Sequence, residues 1–250
     1  MCLIVLHWQP DAEPSLQVWA NRDEFRARPA LPTEFWLEAP QVLAGRDVLA
    51  GGTWMGVTRQ GRFAAITNFR DPVQSAGQRS RGQLVADFLT GQQAAAEYAH
   101  DVQAMAHLYT GFSMLISDAE SLYFVSSRRE QPQALAPGWH GLSNALLDTP
   151  WPKLQRLKAS AQHLVASPQR AEDADAHLSL LKDTQVANDA ELPNTGVGVG
   201  MERLLSPICI QGEAYGTRNS TWLSVGRQHI RWEEWLYDSQ QRLSFRCERE

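Results

Sequence analysis

The sequence predicts an α+β fold of two antiparallel sheets flanked by helices, a four-layer αββα arrangement. Short apolar runs joined by tight turns open the chain, helical stripes follow, and the last quarter returns to the period of strands. Strands, helices, strands, helix and strands in that order do not alternate as a doubly wound parallel sheet requires. Residues 1–250 read as one domain, because 43% hydrophobic content supports a large core and no repeat or low-complexity tail interrupts it.

Cys2-Leu3-Ile4-Val5-Leu6 starts a buried strand over 2–8 that pairs with 15–20 across Pro10-Asp11-Ala12-Glu13-Pro14. Segments 53–58 and 62–68 flank Arg59-Gln60-Gly61 as a further hairpin. Ser80 and Gln83 have capping-box spacing, Leu84 and Phe88 share a helix face, and Tyr98, Val102 and Met105 continue a 3.6-residue stripe beyond Gly91. Two short helices are expected there. Phe112-Ser113-Met114-Leu115-Ile116 and Leu122-Tyr123-Phe124-Val125 form a hairpin around Ser117-Asp118-Ala119-Glu120. After Thr149-Pro150-Trp151, Pro152 suits a first helical turn, and Leu154, Leu157, Ala161 and Leu164 supply the buried stripe. The polar stretch 166–200 ends in Gly196-Val197-Gly198-Val199-Gly200, whose spacing fits neither phosphate-binding glycine template, so a mobile loop is expected. Strands are expected around 207–211, 220–225, 228–233 and 242–247.

A net charge of -5 without any basic run argues against nucleic acid as a partner. Cys2, Cys209 and Cys247 are an odd, scattered set that lacks a C-x-x-C pair, which indicates neither a disulfide framework nor zinc and suits a reduced cytoplasm. No basic leader precedes an apolar segment, and no run reaches roughly 18 apolar residues, so a soluble chain without a membrane span is expected. The seven histidines have no ligand spacing, His100 and His107 suit exposed helix positions, and no metal is assigned. No cofactor is required, and the absence of C-x-x-C-H leaves only non-covalent haem binding. Most of the nine tryptophans belong in the core, with some available to line a pocket for a flat or oily ligand.

Cys2 directly follows the initiator Met1. Removal of Met1, normally efficient before a small residue, would put a thiol and an α-amine on one residue. That amine has an ordinary pKa of about 7.7–8 and can take the thiol proton, after which the thiolate attacks carbonyl carbon. The simpler alternative is a cysteine that only fills the core. Asn21-Arg22-Asp23-Glu24 falls where the second strand ends beside the start of the first. An arginine there lowers a thiol pKa and a carboxylate holds an ammonium; the alternative is a surface turn with a local ion pair.

Met1-Cys2, Asn21-Arg22-Asp23-Glu24, Gly51-Gly52-Thr53-Trp54, Thr67-Asn68-Phe69-Arg70-Asp71, Ser80-Arg81-Gly82, Gly141-Leu142-Ser143-Asn144, Asp148-Thr149-Pro150-Trp151-Pro152-Lys153 and Tyr215-Gly216-Thr217-Arg218 run in order over nearly the whole chain. Together they resemble the NRDE family, also called the Transport and Golgi organization protein 2 family. That family is similar to the N-terminal nucleophile hydrolases, whose αββα sandwich agrees with the element order. Within them, the choloylglycine hydrolase and penicillin V acylase group begins with Met-Cys and cleaves amides. The resemblance implies Cys2 as nucleophile, Asn68 and Asn144 near the oxyanion, Arg218 orienting the site, and Arg22 and Asp23 beside them. Asn21, Glu24, Trp54 and Arg70 are the expected ligand-binding residues. Those hydrolases separate their arginine and aspartate by two residues, whereas Arg22 and Asp23 are adjacent. Neighbours on a strand point to opposite faces, so both address one thiol only if a bulge intervenes.

Two functions follow from the resemblance. One is hydrolysis of an amide or thioester through Cys2. The other is binding and trafficking of haem or an acyl-coenzyme A, with Arg22, Arg70 and Arg218 meeting propionates or phosphates. An inert scaffold is the third option.

Overall fold

The protein is described by a computed structural model covering residues 2–73, 77–118 and 120–250. Met1, on which the processing expectation rests, and Ala119, part of the turn expected from the sequence, lie outside the described residues. The chain begins with β1 (Cys2–Trp8), β2 (Leu16–Phe25), β3 (Ala30–Trp36), β4 (Ala39–Asp47), β5 (Met55–Thr58) and β6 (Phe63–Asn68). Helices α1 (Arg81–Thr90) and α2 (Ala95–Ala104) follow, then β7 (Phe112–Ser117), β8 (Leu122–Ser126), β9 (Gln133–Ala134) and β10 (Gly138–Leu142). Helices α3 (Pro152–Val165), α4 (Ala174–Leu180) and α5 (Val199–Leu204) precede β11 (Tyr215–Val225), β12 (His229–Leu236) and β13 (Gln241–Glu248).

These strands make two antiparallel sheets, ordered β10-β1-β2-β11-β12-β13 and β3-β4-β5-β6-β7-β8-β9. Alternation along each strand assigns its side chains to layers. Ile4, Leu6, Val18, Ala20 and Leu223 of the first sheet meet Leu43, Val57, Phe63, Ala65 and Leu115 of the second in a central core. Leu3, Val5, Trp19 and Trp222 point the other way, against Leu154, Leu157 and Ala161 of α3 and Leu178 of α4. On the far side, Leu84, Phe88, Tyr98 and Val102 of α1 and α2 cover Val42, Ala64, Ile66 and Met114. The result is the αββα sandwich. No helix among the described residues is long and apolar enough to cross a membrane.

The structure departs from the sequence reading at several places. Ser80 caps α1 without a side-chain hydrogen bond, and the Gln83 amide instead donates to Asp87 at 2.7 Å, so no capping box forms. Segment 207–211 is not a strand. Its buried Ile208 and Ile210 sit in a connection held by Cys209 N–H to the Asp183 carbonyl (2.7 Å) and by Thr217 N–H to the Ile210 carbonyl (2.9 Å). The glycine cluster is not simply a loop: Gly198, at φ 86°, turns the chain into α5. β3 and β4 escape the period-two reading because their register shifts twice and Leu31 is exposed on an edge strand.

Candidate functional site

At the Cys2 end of the first sheet, apolar packing between the sheets gives way to a cavity of about 670 Å³. Cys2 keeps the inward parity of Ile4 and Leu6 and lines this cavity, with 7% of its surface exposed. Arg22 lies across from it in register, and Asn219 lies on the other side of Arg22. Parity along β2 carries Arg22 and Glu24 to the cavity. A bulge in β11 between Thr217 and Asn219 brings both Arg218 and Asn219 to the lining. Trp54 and Asn68 complete the expected residues found there.

The other expected residues lie elsewhere. Asn21 faces the helices, its amide donating to the carbonyls of Leu181 (2.9 Å) and Ile208 (2.8 Å) while its oxygen accepts from Ser220 Oγ at 2.6 Å. Asp23 shares that face and is fully buried; its Oδ1 accepts from Thr217 Oγ1 at 2.7 Å, and Lys153 Nζ stands 3.9 Å from Oδ2. The bulge that would turn Asp23 toward the thiol is in β11, not β2. Arg70 is buried in an ion pair with Glu202 at 2.6 Å and stacks 4.5 Å above Trp151. Asn144 stands behind the cavity, its amide donating at 3.0 Å to both the carbonyl and Oδ1 of Asn68. That contact fixes the Asn68 side chain and leaves its own amide nitrogen as the donor a ligand can use. Ser143 Oγ reaches the Cys2 carbonyl at 3.2 Å, joining this loop to β1.

The electrostatics favour anions in the cavity. Arg22 is 3.9 Å from the carboxylates of both Glu24 and Asp47, beyond hydrogen-bond length. Arg28 takes Asp47 at 2.6 Å, and Arg218 takes Asp238 at 2.7 Å. Arg79 and Arg81 also line the cavity and have no carboxylate within ion-pair distance among the described residues; Arg81 donates to the Gly111 carbonyl at 3.0 Å. Burial pushes the Cys2 thiol pKa up, and Asp23 adds to this, while Arg22 and the Asp23 main-chain N–H oppose it. The thiol therefore needs a base to react at neutral pH. No group of three metal-ligating side chains occurs among the described residues.

Arg79, Arg81, Glu234 and Lys153 were not singled out from the sequence as site residues. Lys153 had a legible signal, because a lysine in the first turn of a helix opposes the helix dipole. Glu234 had none, since its burial beside Asn219 and Thr221 comes from the pairing of β11 with β12.

A family model described as Transport and Golgi organisation 2 matches residues 1–238. The Transport and Golgi organization protein 2 homolog of Bos taurus is 35% identical over 247 residues, covering 90% of this chain and 88% of that protein. The Homo sapiens homolog is 34% identical over 245 residues, with 90% and 88% covered. Among solved structures, a cysteine-to-alanine mutant of conjugated bile acid hydrolase from Clostridium perfringens superposes with a TM-score of 0.55 at 10% identity, covering 98% of this chain and 92% of that one. This last likeness is one of fold, and it agrees with the two-sheet sandwich.

Proposed function

The chain belongs to the Transport and Golgi organisation 2 family, and we propose that this member is a cysteine hydrolase cleaving an acyl amide or thioester at Cys2. The observation that carries this reading is the position of Cys2 on the wall of a 670 Å³ cavity, opposite Arg22 and sharing that lining with Asn68. The bile acid hydrolase fold supports it as an analogy.

Once Met1 is removed, the Cys2 α-amine takes the thiol proton, and sulfur attacks the carbonyl carbon. The carbonyl oxygen gains charge and accepts from the Asn68 amide, which Asn144 holds in place. The carbon–nitrogen or carbon–sulfur bond then breaks, and the leaving group takes the proton from the ammonium. A water molecule gives a proton to the amine and attacks the acyl-thioester, releasing the acid and restoring the thiol. The arginines of the lining suit a substrate with an anionic group, and Trp54, Leu31, Ile66 and Leu236 suit its apolar part. Three free cysteines support work in a reducing compartment such as the cytoplasm.

A second reading is a carrier for an acyl-coenzyme A or haem, favoured by Arg79 and Arg81, which have no carboxylate of their own among the described residues. Haem fits less well, because among the described residues no histidine, methionine or tyrosine lines the cavity and Cys2 is the one soft ligand there. Release of free acid from acyl-coenzyme A and from an aryl ester separates the two readings. A hydrolase releases acid and loses that activity in Cys2→Ala, whereas a carrier binds the ligands equally in both proteins and releases nothing.

A further inference from the structure

Lys153 is a buried cation in an unfavourable place. It stands in the first turn of α3, where the helix dipole disfavours a cation, and only 2% of its surface is exposed. Its Nζ has no hydrogen-bond partner among the described residues, and its ion-pair neighbour, Asp23 Oδ2, is 3.9 Å away. A buried ammonium held this loosely is costly, and such exceptions to local rules concentrate at functional sites.

Its surroundings suggest what it does. Cys2 pairs with Arg22 at the start of β1, so the register carries the Cys2 main-chain nitrogen alongside Asp23. From the other elements packed here come Arg70 after β6, Glu202 of α5 and Tyr215 of β11; Arg22 of β2 and Arg81 of α1 lie on the cavity side. Arg70 and Glu202 satisfy each other at 2.6 Å, and Thr195 also donates to Glu202 at 2.6 Å. Tyr215 stays neutral and donates to the Asp23 carbonyl at 3.1 Å. On the helix-covered side the balance beside Cys2 is therefore set by the Asp23 carboxylate and the Lys153 ammonium, while Arg22 acts from the cavity side. A protonated α-amine on Cys2 would be a second cation against one carboxylate.

We propose that Lys153 is a positioning residue for the Cys2 nucleophile, its buried ammonium repelling a proton from the thiol–amine pair and so keeping that pair in its reactive form at neutral pH. The inference rests on the reading of Cys2 as the reacting thiol. Burial lowers the pKa of Lys153 itself to about 8, with Asp23 opposing the shift, so Lys153 still carries its charge through neutral pH. Like charges in one buried cluster disfavour a shared proton, and the thiol and amine titrate as a coupled pair.

The test follows the pH dependence of Cys2 alkylation by iodoacetamide, read by mass on protein with a mature N-terminal Cys2. Lys153→Met should raise the inflection by about one pH unit, making alkylation about tenfold slower below it with the high-pH plateau unchanged. Lys153→Arg should restore the wild-type profile, and Asp23→Asn should move the inflection down. Should Lys153→Met fail to fold, Lys153→Gln reads the same upward shift. An unmoved inflection in folded Lys153→Met or Lys153→Gln, or shifts of the same direction for the Lys153 and Asp23 variants, would overturn the proposal. Ester turnover measured on the same proteins keeps the two readings apart. Turnover that persists with an unmoved inflection removes this role of Lys153 alone, while a shifted inflection without turnover removes the hydrolase and leaves Lys153 as the residue that tunes the thiol.

Discussion

On the cavity face of β2, Arg22 meets its carboxylate neighbours at 3.9 Å; one residue earlier, on the helix-covered face, Asn21 makes three hydrogen bonds of 2.6–2.9 Å. The same tetrapeptide thus supplies loosely held groups to one side of the sheet and tightly bonded ones to the other. Loosely held charges keep the capacity to bind something else, while satisfied buried groups hold the fold together. Strand parity, more than membership of a motif, separates residues that can meet a ligand from those that support them.

The two faces should respond differently to substitution, and the largest effect belongs to the helix-covered side. Asn21→Ala leaves the Leu181 and Ile208 carbonyls without the amide they accept from and the Ser220 hydroxyl with Tyr237 alone, and should cost about 3 kcal/mol of stability, read as a lower urea midpoint. Alkylation of Cys2 per folded molecule should not change. Loss of alkylation without loss of stability would reverse the assignment of the two faces.

Acid should act on the same side. His177 stacks 4.0 Å from Trp222, its Nδ1 accepts from Trp19 Nε1 at 3.0 Å, and its Nε2 faces the Ala171 carbonyl at 2.8 Å. Burial pushes its pKa down to about 4, although the contact with Ala171 opposes the shift. The unfolded chain takes up a proton near pH 6.5 and the folded one does not until about pH 4. Stability should therefore be flat in this group above about pH 6.5 and fall by on the order of 2–3 kcal/mol as pH drops toward 4. Urea midpoints against pH should show that slope, and His177→Asn should flatten it.

On the cavity face the effect should be kinetic. Arg22→Gln removes a cation facing Cys2 across the register and should slow acylation by an ester probe about 10- to 100-fold. Its urea midpoint should change by less than about 0.5 kcal/mol, because its ion pairs are long. A large loss of stability would place Arg22 among the scaffold residues.

Much of this was legible in the sequence where the period of the hydrophobic pattern was clean. The hairpin of β1 and β2, the stripe of α3 and the strand β12 follow from local alternation, as does the rule that Arg22 and Asp23 face opposite sides of an unbulged strand; which of the two faces the cavity does not. The rest depended on contacts distant in sequence. α5 forms where Glu202 pairs with Arg70, 132 positions earlier, and no periodicity in a glycine-rich stretch signals that. Segment 207–211 alternates like a strand, yet Asn21 and Asp183 take up its main-chain groups before a neighbouring strand can. Asn144 carried the expected motif, but only the fold places it behind Asn68. The arginines of the cavity come from four separate stretches of chain, so their convergence has no local sequence signature.

The intact mass of untagged protein purified from its native source, before and after a thiol-reactive acyl probe, bears most directly on Cys2 as a nucleophile. Loss of Met1 and a single acyl adduct that disappears in Cys2→Ala is the expected result. Retained Met1 with an unreactive Cys2 would contradict it and leave the cavity as a binding site.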